Sequence, residues 1–227
     1  ALNKITKVRN QVSNLKFKFE SVKFLTPFFL ISLINIANQA LPIILLGILS
    51  NDIEVGIYGL LQKMYFAVIV PVNIAMGALN PHMASLYANQ KFKQLISLIY
   101  SAVTVIALFG LSAALFLIYF GNDLLNVFNP ELIISQNSIE LFAFALLISS
   151  LGAVFGGFLI VSNGQKDMRL IVLISIILFA LSIFASVSDS GSYGAAASFL
   201  IYTFVYTILS IFYGVKKLLK FRAICIQ

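Results

Sequence analysis

The sequence predicts an all-α integral membrane protein, on three observations. Sixty per cent of its 227 residues are hydrophobic. Only 10% are charged, where a soluble domain carries roughly 25%. The apolar residues gather into six stretches, each near the roughly 20 residues that cross a bilayer as a helix. Lipid must act as the solvent for most of such a chain.

The stretches fall near 25–49, 56–79, 95–119, 141–162, 170–188 and 193–213, giving a six-helix lobe over 25–213. The segments 51–54, 121–129 and 189–192 carry turn and capping residues and read as loops. Ahead of the lobe, Ile5, Val8, Val12, Leu15, Phe19 and Val22 recur at spacings of three and four. Lys4, Lys7, Arg9, Lys16, Lys18 and Lys23 fill much of the remaining surface. Residues 1–24 therefore read as a basic amphipathic linker helix suited to the headgroups of an anionic leaflet, or as a connector between membrane segments. The chain opens on this polar stretch with no signal-peptide order, so it reads as a C-terminal piece of a longer polypeptide. Residues 214–227 form a basic tail.

Charge position sets the orientation. Fourteen of the 15 Lys and Arg residues lie before the first span, after the second and fourth, and in the tail. The opposite side has Asp52, Glu54, Asp123, Glu131, Glu140 and Asp189, with no basic residue. The positive-inside rule puts both termini in the cytoplasm. The net charge of +7 is thereby explained by membrane orientation, and nucleic acid is not expected as a partner.

Little points to catalysis. His82, the single histidine, sits beside Pro81 in an expected loop, and Cys225 is the single cysteine. There is no phosphate-binding G-x-x-x-x-G-K-[ST] loop. No cofactor or metal is expected, and the chain does not read as an enzyme. Glu140, three residues after Asn137, reads as a helix cap.

The informative residues are polar ones inside the spans, since each costs free energy without a partner or a wet cavity. In the first span Asn35, Asn38 and Pro42 share a helix face, with Gln39 beside them. In the second, Gln62, Asn73 and Asn80 fall eleven and seven residues apart and share a face. Pro71 is expected to interrupt that helix and Pro81 to end it. Lys63 is the one basic residue within a span. It reads either as a cationic contact for an anionic substrate or as a lysine snorkelling to the outer headgroups. Ser198, Tyr202, Thr203, Tyr206, Thr207, Ser210 and Tyr213 give the last span a polar face. That face suits a hydrated path, sugar hydroxyls, or hydrogen bonds between helices. Gly152-x-x-x-Gly156, followed by Gly157, permits close helix contact.

Three runs carry a family resemblance: Pro27-Phe-Phe-Leu-Ile-Ser-Leu-Ile-Asn35, Val55-Gly-Ile-Tyr-Gly-Leu-Leu-Gln-Lys63 and Asn80-Pro-His-Met-Ala-Ser-Leu-Tyr87. In these runs and in span layout the chain resembles the second half of a polysaccharide or O-antigen flippase (Wzx type). That family belongs to the multidrug/oligosaccharidyl-lipid/polysaccharide exporter superfamily. The resemblance implies two six-helix lobes around a central cavity with alternating access, this chain being the second lobe. It implies translocation of a polyprenyl-pyrophosphate-linked oligosaccharide across the bacterial cytoplasmic (inner) membrane in surface polysaccharide, O-antigen and lipopolysaccharide assembly. The implied partners are the lipid-linked oligosaccharide, membrane lipids, an N-terminal lobe and polysaccharide polymerase components. The substrate-binding residues expected on this reading are Lys63, Gln62, Asn35, Asn38 and Asn73. A drug/cation antiporter of the same superfamily is one alternative, although this half offers no membrane-embedded carboxylate for ion coupling. A membrane-embedded polysaccharide polymerase or ligase is another, and a purely structural membrane subunit a third.

Overall fold

A computed structural model describes Ile36 and residues 39–128 and 135–224. Among these residues the chain is helical throughout, with no strand. Five pieces follow in order: α1 (Gln39–Leu49), α2 (Asp52–Ala88), α3 (Phe92–Phe128), α4 (Gln136–Val161) and a last stretch, Gln165–Ile224. Four of them, α1 excepted, are long and apolar enough to cross a membrane. On length and composition the chain is a multi-pass membrane protein. The linker of residues 1–24 lies outside the described residues.

Each terminus has a local cause. Asn51 is the N-cap of α2, its side chain accepting the Glu54 N–H at 2.9 Å, and Asp52 and Glu54 complement the positive end of the helix. α2 ends at Asn89, where Gln90 takes φ +56°. Lys91 then donates to the Leu86 carbonyl (2.9 Å) and Gln90 to that of Tyr87 (3.1 Å), a Schellman closure. α4 closes alike: Asn163 takes φ +59° and Gly164 donates to the Leu159 carbonyl at 2.7 Å.

Three sequence expectations are corrected. Pro71 and Pro81 neither interrupt nor end α2, which continues through both to Ala88. Each ring removes one backbone bond, and the packed face of the helix, from Ile57 to Leu86, supplies the continuity. The expected loop at 121–129 is helical to Phe128, as the last two turns of α3. The cap of α4 is Ser135, not Asn137 with Glu140. The Ser135 hydroxyl accepts the Ser138 N–H, while Glu140 accepts from the Gln136 side chain within the helix.

The stretch Gln165–Ile224 is a hairpin rather than one rod. Ser186 donates to the Gly194 carbonyl (3.1 Å), Ser182 and Ser198 share a hydrogen bond (2.9 Å), and Phe179 meets Tyr202 at 5.6 Å. These pairs are centred on residue 190, so the two arms, α5 (165–190) and α6 (192–224), run antiparallel. The reversal falls at Gly191, with φ 53° and ψ −130°, where the sequence expects a turn. A side chain there would be strained by its backbone and would meet the Glu54 carboxylate.

α4 lies centrally, packed on α2, α3 and the hairpin. Its glycines set the spacing: a Cβ at Gly152 would lie 2.5 Å from Thr207 Oγ1 and 3.3 Å from Thr207 Cα, and one at Gly156 would lie 2.7 Å from the Tyr206 hydroxyl. An aromatic cluster fills the level above. Tyr65 meets Phe199 at 5.0 Å, and Phe142 stacks on Phe199 at 5.3 Å.

Two outcomes follow. Gly152→Val forces α4 from α6 and should cost about 1–3 kcal/mol by overpacking, read as a lower thermal midpoint in detergent. Glu54→Ala removes the carboxylate that accepts the Ser192 N–H, the first amide of α6, at 2.7 Å, and should cost about 0.5–2 kcal/mol, as loss of an N-cap does. Hydrogen exchange should rise at 190–194 before it rises elsewhere.

Candidate functional site

The sequence-derived site divides in the structure. Gln62 is buried, 6% exposed, and donates from Nε2 to the Gln39 carbonyl at 3.1 Å. It is thus an α1–α2 tie. Lys63, its neighbour, points the other way and is exposed. Asn73 is also exposed. The helical repeat alone puts Gln62 and Asn73 on similar azimuths, but α1 covers the level of Gln62 and no described element covers that of Asn73. Asn35 and Asn38 lie outside the described residues.

Lys63 and Asn73 stand on an open strip of α2. Gly56, Ala67, Gly77, Ala78 and Pro81 are exposed on it too, as are the larger Val70 and Ile74, and a Cβ added at Gly56 or Gly77 would meet nothing within 4 Å. The exposed face of α3 is bulkier: it shows Tyr100, Val105, Leu108, Leu115, Phe116 and Tyr119, with Ser101, Thr104 and Ser112 between them. Bulky apolar side chains suit hydrocarbon. The small residues of the α2 strip, beside a lysine and an asparagine, suit close protein contact or water.

Lys63 follows Glu54 by nine residues, so it sits about 13 Å further along the helix at 1.5 Å per residue.

The polar face of the last span proves to be internal. Thr207 donates to the Ile148 carbonyl at 3.1 Å, Ser198 lies within the Ser182–Ser186 cluster, and Thr203 donates to the Leu200 carbonyl at 2.9 Å. The Thr207 and Ser198 hydroxyls bind helix to helix, and that of Thr203 bonds back within α6, instead of lining a path. Tyr65, which the sequence does not single out, donates to Ser149 Oγ at 2.8 Å and joins α2 to α4. Asn80 adds a carbonyl oxygen that is buried without a hydrogen-bond partner, against Gly157. His82 is exposed within α2, not in a loop.

Among the described residues no three His, Cys, Asp or Glu side chains gather to hold a metal ion. What the strip can do is chemically modest: offer one cation and one amide, at different depths, to something that lies along α2. No family model matches the chain, and neither a curated protein nor a solved structure matches it.

Proposed function

We propose that this chain is the second lobe of a two-lobe exporter that flips a polyprenyl-pyrophosphate-linked oligosaccharide across the bacterial cytoplasmic membrane by alternating access. The observation that carries the reading is the open strip of α2. It holds the cation, Lys63, and the exposed amide of Asn73 among several small residues and two aliphatic ones, Val70 and Ile74, while the opposite face of the same helix is packed. A helix with one packed face and one open face that mixes small, polar and aliphatic residues supports a cavity wall whose other side belongs to another lobe.

The reading gives the residues distinct roles. Lys63 meets the pyrophosphate or an acidic sugar, since a cation in low dielectric needs an anion. Asn73 hydrogen-bonds sugar hydroxyls. Gln62 acts through its bond to Gln39 and positions the first span, which carries Asn35 and Asn38 to the same cavity. The polyprenyl tail stays in the bilayer. In this reading the α5–α6 hairpin supplies two crossings, α2, α3 and α4 one each, and the span ending in α1 a sixth. Both termini are then cytoplasmic, beside the basic residues. The N-terminal lobe completes the cavity, and polymerase components receive the flipped product.

Lys63 is tested by charge against length. Lys63→Arg should keep much of the surface polysaccharide in cells whose flippase gene carries it. Lys63→Gln should lower the polysaccharide about tenfold or more, as loss of a charged hydrogen bond does, at equal protein in the membrane. Full activity of the glutamine variant would remove Lys63 from the site and leave a snorkelling residue.

Topology is tested by labelling. Asn51→Cys, Asn126→Cys and Ser190→Cys, each at an exposed position, should react in intact cells with an impermeant thiol reagent. The native Cys225 should react only after lysis. The reverse pattern would invert the lobe and refute the assigned direction of transport.

A further inference from the structure

Two cavities meet at the basic end of α6. The first, of about 300 Å³, is lined by Tyr87 of α2, Asp167 of α5 and Tyr213, Lys216, Lys217 and Lys220 of α6. The second, of about 690 Å³, runs along α6 past Ile208, Ile211, Phe212, Val215 and Leu219, and shares Lys216 and Lys220 with the first. A hydrocarbon groove thus leads directly into a cluster of ammonium groups.

We propose that this corner binds one anionic glycerophospholipid, its phosphate among Lys216, Lys217 and Lys220 and an acyl chain along the α6 groove.

Three features select that occupant. The first is charge. Three lysines face one carboxylate, Asp167, so the cavity has a net positive charge. Burial lowers the Lys217 pKa from its ordinary value, Asp167 opposes the shift and Lys220 adds to it. An anion between the lysines would relieve that repulsion. The second is the groove. A free aqueous anion would leave it empty, and a neutral hydrocarbon would leave the lysines unmatched. A molecule with an anionic head and an apolar tail answers both. The third is rigidity. Phe221 stacks on Phe92 at 4.9 Å and meets Tyr87 at 5.5 Å, pinning the end of α6 to α2 and α3. The Lys217 ammonium is held over the α4–α5 turn, 3.2 Å from where a Gly164 Cβ would stand. Tyr87 and Tyr213 line the same cavity, and tyrosine is a residue type enriched where headgroups lie. A polybasic cluster at a membrane edge attracts anionic lipid, each lysine contributing about a fivefold preference.

The inference does not depend on the transport reading, because binding is measured without transport. The full chain, purified in detergent, is titrated with phosphatidylglycerol and with phosphatidylcholine of the same chains, and lipid retention is read by native mass spectrometry. Phosphatidylglycerol should be held at least tenfold more tightly. The pair Lys216→Gln and Lys220→Gln should lose about 25-fold in that affinity, and the pair Lys216→Arg and Lys220→Arg should keep it. Asp167→Asn, which removes the one opposing charge, should tighten binding severalfold. A purely structural Asp167 would loosen it. Inorganic phosphate at millimolar concentration should not displace the lipid. Equal retention of both lipids, indifference to the glutamine pair, or displacement by phosphate would each overturn the proposal, the last by making the site one for a free anion.

Discussion

The bond on which the bundle depends joins residues 138 positions apart: Ser192 donates its backbone N–H to the Glu54 carboxylate at 2.7 Å. The reversal at Gly191 leaves the first amides of α6 without acceptors, and glycine has no side chain to offer them. Glu54 supplies the acceptor from the first turn of α2, itself held by the Asn51 cap. The carboxylate also faces the positive end of α6, so charge and hydrogen bond act together. This one contact fixes the hairpin tip against α2. Tyr65 can then meet Phe199, and α4 has a slot of defined width.

Water does not drive helices together inside a bilayer. Close packing and internal polar bonds must hold this bundle. Gly152 and Gly156 bring α4 against α6, the serines at 182, 186 and 198 bind the hairpin arms, and Thr207 and Tyr65 bind α4 from two sides. Other hydroxyls, such as those of Ser150, Ser175 and Thr203, bond carbonyls of their own helices. Buried polar atoms of Tyr58, Asn80 and Ser210 have no hydrogen-bond partner among the described residues, and Lys63 and Asn73 stand on the outside of α2.

Much of this was legible in the sequence. Composition alone dictates helices in lipid, and the turn at 189–192 shows in its Asp, Ser and Gly residues. The glycine spacing in α4 announces a close contact, which α6 then fills. The losses were of two kinds. A proline removes a local bond, and whether the helix survives depends on neighbours that no local pattern reveals, so α2 runs further than its prolines suggest. Glu54 looks like a loop charge because its partner is distant in the chain. The site was half readable for a related reason. Periodicity gives an azimuth but not what lies opposite it at each level. Gln62 and Asn73 share the first and differ in the second. The same limit applied to α6, whose polar stripe fits a lumen or a seam equally well.

The prolines of α2 have a further consequence. Pro71 and Pro81 donate no backbone proton, so the carbonyls one turn earlier, at Ala67 and Gly77, lose their helical partners. Both positions are exposed on the strip that carries Lys63. The strip therefore owns two main-chain acceptors, about 15 Å apart along the axis, that belong to no side chain. Its affinity for hydroxyl donors is written partly into the backbone, and it persists under any side-chain replacement that spares the two rings.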